Sequence, residues 1–157
     1  MAVVKTCIVA SGILIRDGKT LLLKHKKLGV WIYPGGHVDD GEIPTDCVLR
    51  EIREETGFSA RLIRPYDNGT VIDDGLSHEV PLPFTTMYEN VHYKDGTHIH
   101  YDLMFLAEPV GQMGEIDSGE SKELGWFGRE DVKSLDTFDN VRQVIDLAFR
   151  LNDRLHR

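Results

Sequence analysis

Glu51, Glu54 and Glu55 stand at i, i+3 and i+4 in the run LREIREETGF. On a helix of about 3.6 residues per turn this spacing puts three carboxylates on one face, a single turn apart. Like charges so placed destabilise a bare helix, whereas a divalent cation among their oxygens turns the same arrangement into a ligand set. Oxygen donors without His or Cys suit a hard ion, magnesium or manganese, over zinc. The setting agrees: seven of the 23 residues from 36 to 58 are acidic, more than a loop and a helix need for solubility.

Other side chains near this run could take part. Arg50, beside Glu51 and four residues before Glu54, suits an orienting ion pair within the helix or a phosphate contact. Glu42, at a loop-to-helix junction, could cap the helix, support a ligand or bind metal directly. Asp39 and Asp40 read as solvated loop residues. Lys24-His25-Lys26-Lys27 is a basic cluster in an acidic chain, just before the glycine loop, so Lys24 and Lys26 could guide a phosphate tail. Trp31, Tyr33 and Trp126 could stack on a base or pack in the core, and Trp31 is the candidate for substrate contact. His98 and His100 alternate on a strand-like run and would share one side of it, which allows metal binding, pocket lining or plain sheet surface.

Residues 36 to 58, GHVDDGEIPTDCVLREIREETGF, resemble the box of the Nudix (MutT-like) hydrolases. That pattern is G, five residues, E, seven residues, then R-E-U-x-E-E-x-G-U with U bulky and apolar. Gly36, Glu42, Arg50, Glu51, Glu54, Glu55 and Gly57 fill its fixed positions, and Ile52 and Phe58 its apolar ones. The resemblance implies an α/β fold, a Nudix-type α/β/α sandwich with a mixed central sheet and a catalytic loop-helix-loop. It implies that Glu51, Glu54 and Glu55 bind Mg2+, with Mn2+ as a substitute, helped by a backbone carbonyl at Gly35 or Gly36. The reaction it implies is attack of water on a phosphorus of a nucleoside diphosphate derivative. The proton-accepting base is a box glutamate, Glu51 or Glu54, or one from a later loop, for which Glu120, itself a possible metal ligand, is the candidate and Glu123 the alternative.

The flanking pattern supplies elements to hold this box. Val3 to Ile15 is β-branched and apolar, and Asp17-Gly18 predicts a tight hairpin with Thr20 to Lys24. Pro34-Gly35-Gly36 predicts a turn and His37 to Glu42 an exposed loop. A helix follows from Thr45 to Thr56, with Cys47, Val48 and Ile52 inward, Thr45 or Asp46 as cap and Gly57 just past the end. Phe58 to Ile63 reads as a strand and 66 to 81 as irregular. Phe84 to Tyr93 and His98 to Glu108 predict a second hairpin about Lys94-Asp95-Gly96-Thr97. After a polar loop from Val110 to Gly119, Trp126-Phe127 reads as a short strand and Asn140 to Leu155 as an amphipathic helix. Phe138, Val141, Val144, Ile145, Leu147, Ala148 and Leu151 form its apolar face, for the core or for a homodimer contact.

At 157 residues the chain suits one domain, 1–157. With 18 basic against 26 acidic residues, the net charge of -8 disfavours nucleic-acid backbones and anionic membranes as partners, while the resemblance implies a small nucleotide as substrate. Cys7 and Cys47 lack metal-ligand spacing and are expected as reduced core residues. No basic leader precedes the first apolar run, and no run approaches the roughly 20 apolar residues of a membrane span, so a cytoplasmic enzyme is expected. Rival readings are a nucleotide-binding regulator, which typically has broken carboxylate positions, and an isoprenoid-diphosphate isomerase, which needs a nucleophilic cysteine. In ADP-ribose-cleaving relatives a proline lies roughly 16 residues past the box glycine, and in dinucleoside-polyphosphate relatives a tyrosine lies nearby. Asp73, Asp74 and Gly75 stand there instead. A nucleoside triphosphate or oxidised nucleotide is therefore favoured, while Pro81 and Pro83 keep ADP-ribose or a nucleotide sugar in play.

Overall fold

The computed structural model describes residues 4–67, 69–114 and 123–157. Two long strands carry the architecture. Strand β1 (Lys5–Arg16) runs parallel to β7 (Gly96–Val110), from the pair Lys5 and His98 to Leu14 and Ala107. Every other pairing is antiparallel, so the sheet is mixed. The second edge of β1 is divided between β2 (Lys19–Lys24), paired at Ile15 and Arg16, and β4 (Gly35–His37), paired at Val9, Ala10 and Ser11. Strand β2 in turn pairs with β3 (Trp31–Ile32) and β8 (Leu124–Gly128). Strand β7 pairs with β5 (Ser59–Leu62) and β6 (Thr85–Tyr93).

Side-chain alternation sorts the sheet residues between two cores. Ala10, Leu14, Leu21, Phe105 and Ala107 pack beneath helix α1 (Pro44–Thr56) against Cys47, Val48 and Ile52. Ile13, Ile15, Leu22, Met104 and Leu106 pack on the opposite face with Val144, Ile145, Ala148 and Phe149 of helix α3 (Asp139–Leu155). Helices on both faces make the expected α/β/α sandwich. Gly12 sets the approach of α1, because a Cβ there would lie 2.7 Å from Ile52 Cδ1 and 3.0 Å from Val48 Cγ2.

Both predicted hairpins form. Asp17 and Gly18 have φ of 51° and 72°, the double left-handed turn whose twist suits two strands joined by two residues. In the second hairpin Tyr93 pairs with Gly96 around Lys94-Asp95.

Several expectations are corrected. Gly35–His37 is strand, not turn or exposed loop, because the free edge of β1 recruits it. Neither Thr45 nor Asp46 caps α1. The helix starts earlier with Pro44 in its first turn, where a missing N–H costs nothing, and Ile43 occupies the cap position without a side-chain bond. Phe138 precedes α3 and is exposed, whereas Phe149 is buried. Cys7 is only half-buried, whereas Cys47 lies fully in the core, and both thiols are free. A short helix, α2 (Arg129–Ser134), was not expected. Among the described residues no helix is long and apolar enough to cross a membrane.

Candidate active site

Helix α1 carries Glu51, Glu54 and Glu55 towards β4. Gly57, with φ of 73°, ends the helix just beyond them and donates its N–H to Arg53 O. Glu55 is buried, and its Oε1 accepts the Gly35 N–H at 3.0 Å. Glu51 lies under Gly36, so close that a Cβ at position 36 would overlap its carboxylate. Glu54 is the most exposed of the three, and Arg50 Nη1 donates to its Oε2 at 3.3 Å. Glu51 and Glu55 thus meet the glycine pair across one helix-strand contact, and Glu54 joins them through Arg50.

Arg50 ties the loop to the helix. Its Nε and Nη2 donate to the two oxygens of Glu42 at 2.8 and 3.0 Å, while Nη1 donates to Glu51 Oε1 at 3.0 Å. Glu42 also accepts the Asp39 N–H at 3.1 Å, which is a loop bond, not a helix cap. Hydrogen bonds from Arg50 hold the Glu42 carboxyl down to about 2. Glu51 moves the other way: burial first, then the charge of Glu55, raises its pKa above the ordinary value. Cys47 is pushed up to about 12 by burial and then by the charge of Glu42, so its thiol is inert at neutral pH.

Lys24 and Trp31 are directly paired on β2 and β3, with Lys24 Nζ 5.9 Å from the centre of the Trp31 ring. Lys24 Nζ also lies 3.9 Å from Glu123 Oε2. Trp31 packs edge-on against Phe127 with ring centres 4.8 Å apart, and Phe58 takes Trp126 in the same way. Lys26 is exposed in the turn after β2. Glu120 lies outside the described residues.

Sequence reasoning passed over a polar group behind Gly35. Asp102 Oδ2 accepts the Ser11 hydroxyl at 3.1 Å inside the sheet, and its Oδ1 is buried without a hydrogen-bond partner among the described residues. Burial raises the Asp102 pKa to about 6, against the Ser11 bond, and raises that of the buried Tyr33 as well. The alternation His98, His100, Asp102, Met104, Leu106 on β7 was the available signal, since it puts Asp102 on a face that becomes core.

The NUDIX domain profile matches residues 7–147. A Methanocaldococcus jannaschii protein named ADP-ribose pyrophosphatase is 43% identical over 143 residues, covering 88% of this chain and 71% of the relative. A Bacillus subtilis protein named "Putative 8-oxo-dGTP diphosphatase" is 44% identical over 134 residues, 85% of this chain and 74% of the relative. The crystal structure of a NUDIX-family hydrolase from Clostridium perfringens superposes with a TM-score of 0.76 at 26% identity, covering 92% of this chain and 97% of that one. With the box at 36–58 on its helix and the sandwich around it, these matches make the chain a member of the Nudix hydrolase family and a diphosphohydrolase.

Proposed function

We propose that the chain hydrolyses the diphosphate linkage of a nucleoside triphosphate or oxidised nucleotide, with magnesium held by Glu51, Glu54 and Glu55. The observation that carries this reading is the seating of Glu55 on Gly35 and of Glu51 under Gly36, with Glu54 tied to Glu51 through Arg50. Their chemistry fits a hard divalent ion. All the donors are oxygens, and Glu51 is half-buried against like charge, a strain that a cation relieves. Magnesium, when bound, would neutralise the charge on the substrate phosphates, which a chain of net charge -8 cannot otherwise offset. A carbonyl at Gly35 or Gly36 would complete the ligand set.

The chain's own groups then position and deprotonate. Arg50 holds the Glu51 and Glu54 carboxylates by the bonds described. A glutamate accepts the proton of the attacking water as its oxygen bonds to phosphorus and the bridging oxygen departs with the leaving phosphate. Glu51, Glu54 and Glu120 share candidacy for that base. Lys24 and Lys26 would steer the phosphate tail, and Trp31 would contact the substrate from β3.

A second substrate class, ADP-ribose, is favoured by the relative of that name and by Pro81 and Pro83. The deciding experiment screens nucleoside triphosphates, oxidised nucleotides, ADP-ribose, nucleotide sugars and dinucleoside polyphosphates with magnesium. Turnover is expected to be highest on a triphosphate or oxidised nucleotide and to fall at least about 100-fold in Glu54→Gln. No turnover on any diphosphate, or an unchanged rate in Glu54→Gln, would sink the reading.

A further inference from the structure

A second group of metal-ligating side chains lies on the α3-side face of the sheet. Cys7 on β1 and His98 and His100 on β7 come together because the two strands run parallel with Lys5 beside His98 and Cys7 beside His100. One donor atom from each lies within 4.8 Å of the others, and Cys7 Sγ is 3.9 Å from His98 Nδ1. A tetrahedral ion with thiolate and imidazole ligands needs donor separations of roughly 3.3–3.8 Å, so small side-chain rotations would close the set. His37 brings a further imidazole beside these three. It pairs with Val9 on β4, and its ring stands edge-on to that of His100 with centres 4.8 Å apart.

The support around these rings is that of a ligand shell. His98 turns Nδ1 to Cys7 while its Nε2 lies 3.4 Å from the Asp95 carboxylate, the carboxylate-imidazole arrangement that orients a metal-bound histidine. His100 Nε2 is 3.2 Å from the Tyr93 hydroxyl, which fixes that ring. Sulfur and nitrogen donors select a different class of ion from the oxygens of Glu51, Glu54 and Glu55.

We propose that Cys7, His98 and His100, with His37, form a second metal site, which takes a thiophilic divalent ion of the zinc or cobalt class. The site is independent of the magnesium reading, since it shares no ligand with the α1 carboxylates.

The test is cobalt(II) titration of the full, reduced chain in excess magnesium, followed by optical absorption. A sulfur-to-cobalt charge-transfer band saturating at one ion per chain is expected, unchanged in Cys47→Ser and Glu54→Gln and abolished in Cys7→Ser. His98→Gln and His100→Gln should each weaken binding at least about tenfold, and Asp95→Asn about tenfold through orientation of His98. Should Cys7→Ser fail to fold, the two histidine variants carry the test, with far-ultraviolet circular dichroism as the folding control. The absence of a charge-transfer band in the wild type, its persistence in Cys7→Ser, or its loss in Cys47→Ser would each overturn the proposal.

Discussion

A methyl group on Gly36 would overlap Glu51 Oε1, the far end of a flexible side chain, and no backbone atom lies among its nearest neighbours. The fold can therefore absorb Gly36→Ala by turning the carboxylate aside, but the ligand geometry cannot. Stability is expected to change by less than about 1 kcal/mol in urea denaturation, while magnesium-dependent turnover drops at least about tenfold. Gly35 differs, since its added Cβ would meet Ser11 Oγ and also the backbone carbonyl of Ala10 at 2.9 Å. Glu42 gives a pH-dependent counterpart. Its folded pKa of about 2 lies below the ordinary 4.5, so its bond to Arg50 stabilises the fold fully above pH 4.5 and is lost as pH falls through 2. Glu42→Gln should cost roughly 1–2 kcal/mol at pH 7, with the deficit narrowing between pH 4.5 and 2. A deficit that stays constant across that window would mean that the charge is not its source.

At the level of the element, α1 depends on how it ends. Gly57 adopts φ of 73°, where a Cβ is strained, so Gly57→Ala should lower stability by about 1 kcal/mol, read as a shift in the urea midpoint. This end was legible in the sequence because a glycine after the last apolar position is a local signal. The start was not, because Thr45 and Asp46 resemble capping residues while Pro44 had already begun the helix. Strand β4 was hidden for a different reason: two of its three residues are glycines, poor strand formers, and the pairing comes from β1, not from their own preference. Helix α2, at six residues, is too short to display a period.

Across the whole molecule, what could be read in advance was what lies contiguous in the chain. The three box carboxylates lie within five consecutive positions of one helix, so their sharing of one face follows from helix geometry alone. Asp102 and its partner Ser11 are 91 residues apart, as are Cys7 and His98, and only the strand register unites them. Alternation placed His98 and His100 on one side of a strand, but nothing in the sequence pointed to Cys7 opposite them. The parallel pairing of β1 with β7 also has a consequence for how the chain is made. On the ribosome the first hairpin emerges early, yet β7, the strand that pairs along the edge of β1, is synthesised some 90 residues later. Until then a long, sticky edge waits without its mate, open to pairing with other nascent chains. The loop that must close to seal it is among the longest this fold could require, which puts productive folding in the slow, millisecond-to-second regime of non-local β pairing. The strand pair that joins the distant halves of the sheet is thus also the stage at which a newborn copy is most exposed to misassembly.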